Sequence, residues 1–267
     1  MDIIAFSVGN LNFYWYGIIT SIAILVGILV TRIGLHFRHE KFAVIIDLLL
    51  LGIPVSVIVS RVFYVCLHWQ LYNGKIGEII ALNRGGFSIY GAFIGFLLVV
   101  YFYTRVKGIS FWYWLDILVP AILLGLTIDQ LGHFCFQTIV GMPDNGKTVE
   151  YIEYAFRPAG FEQYEYFKPI ALYQAMWQFS VFIFVSVRSY FQIKYRNILF
   201  GDIFLIGMSM ACLGRFLFGF FYLTTERGMQ LHTGQFISLM GLILCLGLWS
   251  SRKYLLNERK IKNLFKA

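Results

Sequence analysis

Three polar groups interrupt stretches of this 267-residue chain that are otherwise apolar, and each is suited to holding an anion or moving a proton. Arg61 closes Ser56-Val57-Ile58-Val59-Ser60-Arg61, and Arg215 sits in Leu213-Gly214-Arg215-Phe216. A guanidinium fork matches phosphate oxygens two at a time, so an arginine sunk among apolar residues suits a phosphate ligand. The third group is Asp129, Gln130, His133 and Gln137. Asp129 and His133 are four apart and share one face of a helix. A neutral imidazole there can take a proton near pH 7. Two readings stay open for the arginines. One of them pairs with Asp129 and locks helices together, or both await an anion. One carboxylate cannot neutralise two guanidiniums, which leaves room for an anionic ligand, and a phospholipid headgroup is the anion most available at that depth. His133 is either satisfied by a neighbouring helix or acts as a base. His68 and His232 fall at the ends of apolar segments and read as interfacial residues.

A fourth stretch, Arg84-Gly85-Gly86-Phe87-Ser88-Ile89-Tyr90-Gly91-Ala92-Phe93-Ile94-Gly95, places a glycine pair in front of an apolar run. The pair lets the backbone turn or come close to another group. Ser88 and Tyr90 set hydroxyls on the first helical turn. Gly91 and Gly95 leave a flat strip on which a second helix or a lipid chain can lie. A plain helix-packing face with an interfacial tyrosine is the competing reading.

These residues need elements that hold them inside a bilayer, and the composition supplies them. Hydrophobic residues make up 59% of the chain and charged residues 13%, against ~25% charged in a soluble domain. The mean hydropathy is +0.71. The expected fold class is all-α, a polytopic membrane protein with about seven transmembrane helices in a single membrane domain, residues 1–267. The apolar segments run roughly 14–35, 43–67, 87–104, 111–137, 170–190, 200–222 and 231–250, each near the ~20 residues a crossing requires. The fourth is long enough to be tilted or broken. No cleavable signal peptide is evident, and the first apolar run reads as a retained helix. Cys66, Cys135, Cys212 and Cys245 lie in apolar segments without metal-ligand spacing and read as buried apolar side chains.

The net charge of +8 is spread in short pieces between the apolar runs, which argues for membrane orientation and against nucleic acid. Fourteen of the twenty-two Lys and Arg fall on the side that holds Arg38, Arg105, Arg196 and the tail from Arg252 onward. The positive-inside rule then puts the N-terminus outside and the C-terminus in the cytoplasm. Residues 138–169 form the longest connection, an extracytoplasmic segment read either as a cap over a site or as a disordered loop. Residues 251–267 read as a basic cytoplasmic tail that meets anionic lipid. Asp47 and Asp202 are expected near helix ends, solvated or paired. Asp116 follows the belt Phe111-Trp112-Tyr113-Trp114-Leu115 and is expected at the interface, in reach of water. No internal repeat or ring of charge supports a transporter.

With these residues in place, the chain resembles the prolipoprotein diacylglyceryl transferase family over nearly its whole length. The resemblance is carried by Phe6-Ser7-Val8-Gly9 before Tyr14-Trp15-Tyr16-Gly17, by Arg61-Val62-Phe63-Tyr64, and by Gly85-Gly86-Phe87-Ser88-Ile89-Tyr90-Gly91. It continues through Asp116-Ile117-Leu118-Val119-Pro120, Pro169-Ile170-Ala171-Leu172-Tyr173-Gln174, Gly214-Arg215-Phe216 and Gly234-Gln235-Phe236-Ile237-Ser238. It implies transfer of a diacylglyceryl group from phosphatidylglycerol, or a similar anionic phospholipid, to the thiol of a lipobox-type or other cysteine-bearing peptide. The enzyme would sit in the bacterial cytoplasmic (inner) membrane and use no metal or nucleotide cofactor. It matches Arg61, Arg215 and Tyr16 to family positions.

The resemblance also marks differences. The family has His where Tyr90 stands, an Arg-x-Gly-Asn-type motif where Gln130-Leu131-Gly132-His133 stands, and a Glu with no counterpart near Thr138. Family acids are replaced by Gln174 and Gly219. The expected catalytic residues are therefore His133, Tyr90 and Arg215. The expected lipid-phosphate contacts are Arg61, Arg215, Tyr16, Gln130, Gly85, Gly86 and Ser88. The alternative is a catalytically altered member that binds phospholipid or a lipoprotein segment without transfer, or that modifies a different acceptor.

Overall fold

The computed structural model describes residues 4–8, 11–72, 77, 79, 86–144, 149–154, 157–158, 160–195, 199–223 and 233–264. In chain order these form β1 (Ile4–Val8), β2 (Leu11–Tyr14), α1 (Trp15–Arg38), α2 (Ala43–Leu67), α3 (Trp69–Tyr72), α4 (Ile89–Lys107) and α5 (Phe111–Cys135). There follow β3 (Glu150–Tyr151), β4 (Tyr166–Phe167), α6 (Ile170–Tyr195), α7 (Asp202–Gly219) and α8 (Thr233–Leu264). Seven of the described helices are long and apolar enough to cross a membrane: 17–38, 43–67, 89–107, 111–135, 170–195, 202–219 and 233–254. Each lies within a few residues of the stretch the sequence marks. In an apolar solvent every backbone group must bond within its own segment, so long apolar runs fold as helices. Leu25, Leu29, Ile33, Ile243 and Leu244 are all more than half exposed, as side chains facing acyl chains must be. The protein is a multi-pass, all-α membrane protein.

The fourth span is neither broken nor interrupted, because α5 continues through Pro120 to Cys135. The basic stretch after Tyr254 continues α8 to Leu264. Two expectations are corrected. Cys66 and Cys135 are exposed, not buried, and only Cys212 and Cys245 are partly covered. Asp116 is fully buried, not in reach of water.

The chain packs as two compact units, one of residues 35–115 and one of residues 1–34 and 116–267. In the first, α4 lies along α2. A Cβ on Gly91 would stand 2.8 Å from Ser60 Cα, and one on Gly95 would stand 2.9 Å from Ser56 Cα. The glycine strip is therefore filled by α2, which settles its packing role. Tyr103 donates a 2.7 Å hydrogen bond to Asp47. Asp47 is paired in this way near the start of α2.

In the second unit α5, α6 and α7 bury Val119, Leu123, Val181, Val185 and Leu205 almost completely. At one end of this bundle Asp116 accepts hydrogen bonds from Gln192 Nε2 (2.9 Å), Gly201 N (2.7 Å) and Phe204 N (2.9 Å). Gly201 and Phe204 belong to the first turn of α7, whose backbone N–H groups have no partner within the helix. No side chain of α7 caps them. Asp116 does so from another helix, and its charge also complements the positive end of the helix dipole.

At the opposite end the described part of 138–169 folds onto the helix termini. β3 pairs antiparallel with β4, Met142 N donates to Phe221 O (3.0 Å) and Leu223 N donates to Val140 O (3.0 Å). Ile152 and Phe167 of this segment are buried.

Candidate functional site

The polar groups of the larger unit gather at the end where α5 and α7 finish and α6 begins. Arg215, half-buried in the last turns of α7, donates from Nη1 to Gln174 Oε1 (3.1 Å) and to the Tyr222 hydroxyl (2.5 Å). The Tyr222 hydroxyl also bonds Gln174 Oε1, and the Arg215 guanidinium carbon lies 4.9 Å from the Tyr222 ring centre. All these partners are neutral. Among the described residues no carboxylate lies within ion-pairing distance of Arg215. Its orientation is fixed and its charge meets no carboxylate among the described residues, which is the condition for binding an anion. Gly214 is required beside it, since a Cβ there would run into the Trp177 ring, and Trp177 is itself anchored on Met210 O at 2.9 Å.

His133 stands on the last turn of α5. Its Nε2 is 3.6 Å from Asp129 Oδ2, with side chains 21% and 15% exposed respectively. Its Nδ1 lies 2.6 Å from Thr138 Oγ1. Both Asp129 and Arg215 act electrostatically on the imidazole, so a proton-accepting group and a fixed cation share this region. Gln130 is buried beside them. Its Nε2 reaches Asp129 only at 3.5 Å, and its Oε1 accepts no hydrogen bond from the described residues. Deeper on the α6 face that carries Gln174, Gln178 is 3% exposed and its Oε1 is likewise unsatisfied. Outside the spans, burial holds the Glu150 carboxyl above the usual range, partly offset by a hydrogen bond from Gln137.

The smaller unit holds a second, separate arginine. Arg61 is 4% exposed and donates from Nε to Ile79 O (3.1 Å) and from Nη1 to Gly86 O (2.9 Å). It also covers the Tyr72 ring at 5.2 Å. Gly86 has φ +78°, and a Cβ there would meet Arg61 Nη1 at 2.6 Å. Both the left-handed backbone and the close approach of the guanidinium demand glycine. Ser88 precedes α4 and is buried. It is bound to α2 by Ser60 Oγ to Ser88 O (2.8 Å) and Ser88 N to Ser60 O (3.3 Å). Tyr90 lies on the first turn of α4.

Of the residues expected from the sequence, the structure brings together His133, Asp129, Gln130 and Arg215 in one unit and Arg61, Gly86 and Ser88 in the other. Gly85 and the side chain of Tyr16 lie outside the described residues, as does His232. Tyr222 and Thr138 were not among the expected site residues. Tyr222 lies three residues beyond the end of α7, where helical periodicity gives no signal. Thr138 lies beyond the helix, where no periodicity points to it. No group of three or more metal-ligating side chains occurs among the described residues.

Fold and site together define a helical membrane protein that holds a guanidinium and an imidazole at one end of a helical bundle. The model of the family described as prolipoprotein diacylglyceryl transferase matches residues 3–251. The chain belongs to that family. It is 30% identical over 260 residues to a phosphatidylglycerol–prolipoprotein diacylglyceryl transferase of Listeria welshimeri, covering 96% of this chain and 92% of the relative. Proteins of the same name from Clostridium botulinum (30% over 249 residues, 91% and 94% covered) and Bacillus velezensis (30% over 254 residues, 94% and 92% covered) are similarly related.

Proposed function

We propose that this protein transfers a diacylglyceryl group from phosphatidylglycerol to the cysteine thiol of a prolipoprotein. The observation that carries the reading is Arg215, held by the neutral Gln174 and Tyr222 with no described carboxylate in ion-pairing range. In the reaction the thiol sulfur forms a bond to the terminal glyceryl carbon, the bond from that carbon to the phosphate oxygen breaks, and glycerol phosphate departs. Arg215 stabilises the negative charge that collects on the leaving phosphate. His133 receives the thiol proton, and Asp129 stabilises the imidazolium that results. A thiol with a reference pKa of ~8.5 is mostly protonated at neutral pH, so removal of its proton is a necessary step.

Arg61, with Gly86 and Ser88, is a second phosphate-reading element in its own unit, where Tyr90 is a further candidate contact; Gln130 is one in the larger unit, and Gly85 and Tyr16 remain candidates from the sequence. The reading places the N-terminus outside the cytoplasmic membrane of a bacterium, with 138–169 as an extracytoplasmic cap and 251–267 in the cytoplasm. The acceptor is a lipobox-type peptide.

The test is direct: purified protein with phosphatidylglycerol vesicles and a cysteine-bearing lipobox peptide. Lipidated peptide and glycerol phosphate should form in equal amounts, and Arg215→Ala should reduce both by about 10²–10³-fold, as loss of one charge-stabilising donor does elsewhere. Arg215→Ala with unaltered turnover would remove the reading.

A further inference from the structure

The end of the larger unit that holds Asp116 carries a second group of cations, remote from Arg215. Arg188 follows Gln174 on α6 by 14 residues, about 21 Å along the axis at 1.5 Å per residue. Three cations act there on the carboxylate of Asp202 in the first turn of α7: Lys253 and Arg252 from α8 and Arg188 from α6. Asp202 is also held by the positive end of its own helix. Asp116, on which Arg252 acts as well, already receives Gln192 and two backbone N–H groups. Arg252 is committed, its Nη2 donating to Phe200 O at 2.6 Å. Arg188 is not held in this way. Its Nε is buried and meets no acceptor among the described residues, and neither it nor Lys253 forms an ion pair there. Lys253 stands 3.8 Å from the centre of the Trp249 ring, whose Nε1 is likewise buried without an acceptor among the described residues. Buried donors normally find a partner, and three cations against two carboxylates leave this end positive.

We propose that Arg188, Lys253 and Trp249 bind the phosphate of an anionic phospholipid at this end of the bundle, in a site separate from the transfer centre. A guanidinium takes two phosphate oxygens at once, and an ammonium adds a point charge. A tryptophan at headgroup level keeps its ring in apolar surroundings and its N–H toward polar ones. The side chains around the cations favour a lipid over a free anion. Phe184 and Phe191, one turn before and one turn after Arg188 on the same face of α6, are each 42% exposed, and Leu248 beside Trp249 is 47% exposed. Acyl chains cover such side chains in a bilayer, so a headgroup at Arg188 has its tails on an apolar surface already present. The lipid bridges α6 and α8. With the orientation proposed above it belongs to the cytoplasmic leaflet, whose anionic lipids attract basic residues near the surface.

Native mass spectrometry of the full-length protein in detergent tests this. The probes are phosphatidylserine, which is anionic, phosphatidylcholine with the same acyl chains as the zwitterionic control, and inorganic phosphate as the free anion. All variants are made in an Arg215→Ala background, so that the transfer centre does not supply the binding. Phosphatidylserine should bind about tenfold more tightly than phosphatidylcholine. Arg188→Gln should weaken phosphatidylserine about tenfold, the worth of one hydrogen bond to a charged group, and Arg188→Lys should weaken it less. Lys253→Gln should weaken it several-fold, and phosphatidylcholine should respond to none of the three. Unchanged affinity for phosphatidylserine in Arg188→Gln overturns the proposal, as does an equal loss for phosphatidylcholine. Inorganic phosphate that displaces phosphatidylserine at comparable concentration would make the ligand a free anion and overturn the lipid assignment. If Arg188→Gln does not fold, Lys253→Gln decides by the same criterion, since Lys253 is exposed and its exchange leaves the core intact.

Discussion

The two ends of α5 each hold a carboxylate, and they differ in who faces it. Asp116 is fully buried and receives three hydrogen bonds, two from backbone N–H groups at the start of α7 and one from Gln192. Asp129, at the other end, faces the imidazole of His133 across 3.6 Å and Gln130 Nε2 at 3.5 Å. Each of these contacts is longer than a good hydrogen bond. A carboxylate that ends backbone donors is part of the scaffold, because those donors have no other partner. A carboxylate beside a titratable ring can answer a change of charge there. Distance from the helix end does not separate the two roles; the identity of the donors does.

The largest effect should come from breaking the scaffold end. Asp116→Ala strands two buried N–H groups and should lower stability by about 3–5 kcal/mol, read as a lower unfolding temperature in detergent. Transfer per folded molecule should stay near the parental value. If Asp116→Ala instead left stability untouched, the assignment of this end as structural would fall.

At the other end the pattern should reverse. Asp129→Asn removes the charge that steadies the His133 imidazolium and should reduce transfer by about 10²-fold with little change in unfolding temperature. Equal losses of stability in the two variants would erase the distinction between the ends.

A smaller change is expected beside the second arginine. Gly86→Ala places a Cβ against Arg61 Nη1 on a backbone of φ +78° and should lower stability by about 1–3 kcal/mol. Thermal unfolding with Arg61→Lys as a second probe measures it, and an unshifted midpoint would show that the guanidinium is not held as described.

The smallest effect tests the unsatisfied amide of the core. Gln178 Oε1 accepts no hydrogen bond from the described residues, so Gln178→Leu should raise stability, by about 1 kcal/mol. A loss of stability would show that the amide is engaged.

The spans and their number were legible in the sequence because a bilayer permits only long apolar helices. Gly91 and Gly95 announced a packing face for the same reason, although α2 as their partner was not readable. Asp116 was misplaced because its donors lie 76 to 88 residues further on, beyond any local pattern, and its aromatic neighbours suggested an interface. At the site, Arg215 and His133 stood out as charged or titratable groups inside apolar runs. Gln174 and Tyr222, which aim Arg215, are neutral and unremarkable by type. Thr138 reaches His133 only because Gln137 takes a left-handed turn, and nothing in the residue type foretells a strained glutamine.

The central claim is that Arg215, without a carboxylate partner among the described residues, serves the departure of glycerol phosphate from a lipid. It is tested most directly by mixing the purified protein with radiolabelled phosphatidylglycerol and a lipobox peptide, then measuring thioether-linked lipid on the peptide and free glycerol phosphate. The account predicts stoichiometric appearance of both, dependent on Arg215 and on the peptide cysteine. A folded protein that binds the lipid and yields neither product would contradict it.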